Sequence, residues 1–167
     1  MGHRVLYLVR HGAALTTAAD SRRPLSPAGE DEIARLAQFL AQARVPVRRI
    51  LHSGVERAAQ SAAILGQALL PRGPVERHDG LLPSDPVTPM ARRLAKGGEA
   101  TMVVGHQPFM GALTTALLCP GREQDIVAFP TGGTVCLISG EPEPGWSLAW
   151  ALLPALLPLA HGRGRES

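Results

Sequence analysis

Two histidines, each beside a glycine, and two arginines are the residues of this chain whose types could do chemistry together. His11 lies between Arg10 and Gly12, His106 follows Gly105, and Arg57 stands in the stretch Ser53-Gly54-Val55-Glu56-Arg57. A neutral imidazole can attack phosphorus in line and carry a covalent phosphohistidine until water releases it. Arginine keeps its charge, and its planar fork matches phosphate oxygens in pairs. Nearby positive charge also lowers a histidine's pKa, which leaves the attacking nitrogen unprotonated near neutral pH. Around one pocket, His11 would be the nucleophile, while Arg10, Arg57 and His106 would stabilise charge on the equatorial oxygens. This arrangement requires no metal and implies no cofactor; the sequence has neither a phosphate-loop lysine nor an acidic cluster to hold Mg²⁺.

The elements that must position these residues are legible as alternating patterns. Arg4 to Val9 is β-rich and ends at Gly12, so it reads as a buried first strand. Ser26-Pro27 reads as a helix cap with proline at the first helical position, and Glu30-Asp31-Glu32 puts acids in the first turn. That helix should run to about Arg44 with Ile33, Leu36, Ala37 and Leu40 on its apolar face. A strand over Val47 to His52 and a helix over Gly54 to Leu70 follow, the latter with Ala58, Ala62, Leu65 and Leu69 on one side. Val75 to His78 reads as a short strand and Pro86 to Lys96 as a helix. Thr101 to Val104 is then a hydrophobic strand, and Pro108 opens a helix ending near Cys119. Two late strands, Gly133 to Ser139 and Ser147 to Leu153, flank a turn-rich segment.

Strands alternating with helices predict a three-layer αβα domain, with a mostly parallel central sheet and an antiparallel edge strand. Residues 1–160 are expected to form this single domain and 161–167 a flexible tail. In such a sheet His11 and His106 both fall at the carboxyl edge, where ligands bind. The proline after His106 suits the start of a helix, whose leading amides favour an anion.

Composition narrows the function classes. The chain has 167 residues, 45% of them hydrophobic and 19% charged, which is ordinary for one folded domain. A net charge of +3 is mildly basic, but Lys96 is the only lysine and no basic run is interleaved with aromatics, so no nucleic-acid partner is expected. No segment has the roughly 18 apolar residues needed to cross a bilayer, and Val5 to Val9 is too short for a secretory signal. Cys119 and Cys136 form no metal motif and are expected as free thiols. The cytoplasm is the expected compartment.

Other polar residues attract quieter readings. Asp85 is a candidate general acid, set against a role capping the helix that begins at Pro86. His52 is expected to be structural rather than pocket-lining, and His78-Asp79 to make a loop hydrogen bond rather than hold a metal. Asp20 and Arg23 are candidates to orient the arginines from behind. His3 and His161 are expected at exposed ends. Trp146 and Trp150 are expected to share one strand face and to pack at core or edge.

The motifs together resemble those of the histidine phosphatase superfamily, with its phosphoglycerate-mutase-like fold. Leu8-Val9-Arg10-His11-Gly12 is similar to the family's N-terminal signature, with His11 at the place of the phosphorylated nucleophile. Ser53 to Ser61 resembles the second motif, with Arg57 at the phosphate-binding arginine; Gly54 and Ser61 replace its usual Pro and Thr. Val104-Gly105-His106-Gln107-Pro108 is similar to the third, with His106 at the second histidine. The lack of a large insertion between Ser61 and Thr101 is similar to the small phosphohistidine phosphatases of the SixA type. So are Ala19-Asp20-Ser21, Arg23-Pro24-Leu25-Ser26, Leu82-Pro83-Ser84-Asp85 and Leu118-Cys119-Pro120-Gly121.

The resemblance implies a metal-independent phosphatase. The mutase and sugar-phosphate branches usually carry a glutamate acid in a longer insertion, and no clear match occurs here. An ester needs its leaving alkoxide protonated, whereas phosphohistidine leaves as an imidazole without a dedicated acid. The expected substrate is therefore phosphohistidine in a protein. Phosphatase action on small phosphate esters, or a phosphate- or phosphoprotein-binding module without catalysis, stays open as an alternative.

Overall fold

Alternating apolar residues in the first strand already require two covered faces, and the architecture supplies them. In the computed structural model, which describes residues 4–16, 22–140 and 145–158, the elements are β1 (Arg4–Arg10), α1 (Pro27–Gln42), β2 (Arg49–His52), α2 (Glu56–Leu69), β3 (Val75–Arg77), α3 (Val87–Lys96), β4 (Thr101–Gly105), α4 (Phe109–Leu118), β5 (Thr134–Ser139) and β6 (Ser147–Leu152). A 3₁₀ turn, Pro154–Leu156, closes the described chain. Asp20, His3, His161 and the tail at 161–167 lie outside the described residues, as does Ala19-Asp20-Ser21.

The strands form a six-stranded sheet in the order β3-β2-β4-β1-β5-β6. β1, β2, β3 and β4 are mutually parallel, and β5 runs antiparallel to both β1 and β6. The antiparallel strand is thus one place in from the edge, because β6 returns beside it. Tyr7 and Val9 pack toward α1 and α2 with Ile33, Leu36, Leu40 and Leu65. Leu6 and Leu8 pack on the other face with Met90, Phe109 and Leu113 from α3 and α4. One strand therefore anchors both cores, as its period of two dictates.

Local signals set the helix boundaries. Ser26 caps α1, its Oγ accepting from the Gly29 N–H at 3.1 Å, with proline following at the first helical position. The same hydroxyl donates to the Ala13 carbonyl at 3.2 Å, tying the helix start to the loop after β1. Helix and loop touch so closely that a Cβ on Gly29 would lie 1.9 Å from the Ala13 oxygen. A Cβ on Gly12 would lie 2.7 Å from the Gly29 oxygen. Glycine at both positions lets α1 abut the residues beside His11.

The tryptophans depart from expectation. Cys136 pairs with Trp150 while Leu137 pairs with Leu148, so β6 carries an irregularity at Ala149. One extra residue reverses the alternation beyond it. Trp146 accordingly packs with the α3/α4 core, and Trp150 with the α1/α2 core, its ring 5.9 Å from that of Tyr7.

Candidate active site

β1, β2 and β4 end side by side, and each delivers a polar residue just beyond its carboxyl end. His11 follows β1 and hydrogen-bonds through its backbone N–H to the Gly105 carbonyl of β4 at 3.0 Å. Its ring is fixed from both sides. Nδ1 lies 2.7 Å from the Gly12 carbonyl, which can only accept, so Nδ1 carries the proton. Nε2 faces Arg57 Nε at 3.1 Å, which can only donate, so Nε2 keeps its lone pair. The ring is buried, with 7% of its surface exposed.

His106 follows β4 and is buried more deeply still. Its Nε2 lies 2.7 Å from the Ser53 hydroxyl, which comes from the end of β2. Its Nδ1 is buried and finds no hydrogen-bond partner among the described residues. The two imidazole centroids are 5.0 Å apart, so a group held between them would meet both rings. An orphaned buried nitrogen beside a second imidazole is the kind of exception that a ligand explains.

Arg10, at the end of β1, lies near enough for its charge to act on both imidazoles. Nη1 donates to the Phe129 carbonyl at 2.7 Å, while Nε is buried without a partner among the described residues. Burial pulls the pKa of Arg10 below its ordinary value, and the Glu32 carboxylate opposes that pull. Arg57 is also lowered, first by burial and then by Arg23 and Arg10. Burial is likewise the main cause that lowers His11 to about 4; its Gly12 hydrogen bond resists, and the charges of Arg57, Arg10 and Arg23 add to the fall. His106 falls to about 3, again by burial first, followed by His11, Arg57 and Arg10. Both imidazoles are therefore neutral at physiological pH in a strongly positive setting.

Several residues that sequence reasoning passed over hold this arrangement. Ser61 Oγ accepts from the Gly12 N–H at 3.1 Å and donates to the Arg57 carbonyl at 2.7 Å, linking α2 to the loop that carries His11. Serine keeps the hydroxyl of the threonine usual at this place, so that link survives the change. Glu32 accepts from the Ala13 N–H at 3.0 Å and from Thr131 Oγ1 at 3.1 Å. Gln60 accepts from the Leu25 N–H at 2.7 Å. Each joins segments distant in sequence, and only the Gln60 and Ser61 positions had a motif to point to them.

Asp85 is used elsewhere. Its carboxylate accepts from the Leu82 N–H at 2.8 Å, and its own N–H returns to the Leu82 carbonyl at 3.1 Å. Helix α3 starts at Val87 with no side-chain cap, so the cap expected of Asp85 is replaced by this closed turn. The start of α4 also differs from expectation. The Gly111 N–H is taken by Gln107 Oε1 at 2.8 Å and the Met110 N–H by the His106 carbonyl at 2.9 Å, so those amides are spent within the chain. His52 Nδ1 accepts from the Gly54 N–H at 3.1 Å, a structural turn contact. His78 Nδ1 lies 2.5 Å from the Asp79 carbonyl, within its loop. Arg23 is exposed, with Nε donating to the Leu15 carbonyl at 3.2 Å, and its charge reaches both His11 and Arg57. Cys119 and Cys136 are free thiols. Among the described residues no helix is long and apolar enough to cross a membrane.

A six-stranded αβα sheet with paired imidazoles and arginines at its carboxyl edge defines a phosphoryl-transfer class, and comparison with known proteins agrees. Residues 6–82 match the family model of the histidine phosphatase superfamily (branch 1). The chain is 31% identical over 160 residues to the phosphohistidine phosphatase SixA of Escherichia coli, covering 93% of this chain and 97% of that protein. It belongs to the histidine phosphatase superfamily. Among solved structures, the protein histidine phosphatase SixA complexed with tungstate superposes with a TM-score of 0.78 at 29% identity, covering 90% of this chain and 97% of that one. A mycobacterial glucosyl-3-phosphoglycerate phosphatase shares the fold, with a TM-score of 0.60 at 19% identity over 88% of this chain and 98% of that one.

Proposed function

We propose that this histidine phosphatase removes the phosphoryl group from phosphohistidine in proteins, passing it through His11 without a metal. The observation that carries the reading is the orientation of His11: the Gly12 carbonyl holds the proton on Nδ1, so the Nε2 lone pair, which accepts from Arg57, is the one that faces the arginines. An incoming phosphoryl group displaces the Arg57 N–H from Nε2, and the released guanidinium meets the phosphoryl oxygens with Arg10 and His106 Nδ1.

The Nε2 lone pair forms a bond to phosphorus as the bond to the substrate's imidazole breaks. That imidazole leaves with the electron pair and takes a proton from water. Water then attacks the phosphohistidine, the P–Nε2 bond breaks, and inorganic phosphate departs with His11 neutral again. No acid is required for an imidazole leaving group, which accords with Asp85 being committed to its turn. The likeness to SixA, a phosphohistidine phosphatase by name, supports the same substrate class. Two free thiols suit the cytoplasm as the compartment.

The test compares turnover on a phosphohistidine peptide with turnover on a panel of sugar phosphates. The peptide should be preferred, and His11→Ala should abolish both turnover and labelling by a phosphoryl donor. A strong preference for esters would overturn the substrate assignment, and unchanged turnover in His11→Ala would overturn the mechanism. Tight phosphate binding with no turnover on any substrate would instead mark a binding module.

A further inference from the structure

The opposite ends of the three strands that carry the site form a second cleft, of about 360 Å³. Its floor includes Leu6, Leu51 and Leu94, and Trp146 stands at one side. Four cations line it, Arg4, Arg49, Arg93 and Lys96, against a single carboxylate, Glu99. Arg4 and Arg49 begin β1 and β2, and Thr101 at the start of β4 also lines the cleft, so it lies at the amino edge of the sheet. It shares no residue with the site at the carboxyl edge.

Each cation has a local reason to be present, yet none explains their convergence. Arg4 bonds to the Ala95 carbonyl and, at 2.8 Å, to Ser139 Oγ, with its guanidinium 5.4 Å from the Trp146 ring centre. Arg49 makes its ion pair through the buried Nε, 3.4 Å from the Glu76 carboxylate, without hydrogen-bond geometry. Arg93 and Lys96 occupy the last turn of α3, where positive charge suits the helix dipole. Among the described residues neither has an ion-pair partner. With Glu76 paired to Arg49 and Glu99 in the lining, the four cations still leave an excess of two positive charges around one concave surface, a setting that favours a bound anion. The apolar floor adds a second requirement, since bare phosphate gains nothing from Leu6, Leu51 or Leu94. The volume falls at the lower end of the range of roughly 300–1,000 Å³ found for small-molecule sites.

We infer that this cleft binds a small organic anion, its phosphate or carboxylate head among the cations and its apolar body against the leucine floor and Trp146. The inference is independent of the reaction at His11. The chain has two tryptophans, so the indole N–H resonance of Trp146 is assigned by its persistence in Trp150→Phe. The ¹⁵N-labelled full chain is titrated with benzylphosphonate, phenylacetate and inorganic phosphate while that resonance is followed. Benzylphosphonate or phenylacetate should move it saturably with a Kd below about 1 mM. The stronger of the two identifies the head group. Inorganic phosphate, lacking the apolar body, should be at least about tenfold weaker. Arg93→Glu with Lys96→Glu should abolish the shift while phosphatase turnover stays intact. The milder pair Arg93→Gln and Lys96→Gln should weaken binding about tenfold. A resonance unmoved by both organic anions at millimolar concentration, or moved equally in the charge-reversed variant, overturns the inference.

Discussion

His11, the proposed nucleophile, shows how much of an imidazole's character comes from what its two ring nitrogens face. A carbonyl on one side and a guanidinium N–H on the other determine the tautomer before any substrate arrives. Protonation of Nε2 would end the attack, and burial holds the His11 pKa near about 4 rather than 6.5. Its ring protons should therefore titrate in NMR with a midpoint at about 4, well below that of an exposed histidine. Because the depressed pKa favours the neutral form, His11 stays competent as pH falls through 6 and loses competence only as pH approaches 4. A His11 midpoint above 6 in the free protein would contradict this electrostatic account. Ser53 offers a second check at the same scale. Ser53→Ala frees His106 Nε2 from its 2.7 Å contact, and should lower kcat about tenfold while changing KM little.

At the scale of elements, the start of α1 is the strictest fit in the fold. A methyl group on Gly29 would collide with the Ala13 carbonyl, which is backbone and cannot swing aside. Gly29→Ala should therefore cost about 2 kcal/mol or more in urea unfolding and reduce turnover, since the same loop carries His11. A neutral effect would show that helix and loop can separate. Much of this scale was legible from sequence because punctuation is local: Ser26-Pro27 marks the start of α1, and strand boundaries follow glycine and proline. What escaped reading depended on distant pairing. Trp146 and Trp150 change faces because of one irregular residue opposite β5, which alternation within β6 does not reveal. The Ser53–His106 and Glu32–Thr131 bonds join residues 53 and 99 positions apart, and no spacing rule reaches so far. His11, His106 and Arg57 were findable because each stands near a strand's end; Asp85 was misassigned because its backward bond to Leu82 competes with forward capping.

The whole molecule carries a net charge of +3, with Arg10, Arg23 and Arg57 gathered around His11 at the carboxyl edge of the sheet. Such a field steers anionic substrates and is screened by salt, the Debye length falling to about 3 Å at 1 M. Raising ionic strength should lower kcat/KM on a phosphorylated substrate several-fold while leaving kcat nearly constant. A kcat that falls in step would place the effect on the chemistry rather than on encounter.

The position of β1 in the sheet bears on when this protein can begin to work. β1 has both of its neighbours, β4 and β5, far downstream in the sequence. While the ribosome is still adding the middle of the protein, Leu6 and Val9 have no strand to pair with, and His11 lacks the Gly105 carbonyl that anchors its backbone. The loop to be closed spans about ninety residues, so nucleation must wait for distant sequence. An amino-terminal fragment ending before Thr101 retains the whole Arg10-His11-Gly12 triplet but not its platform.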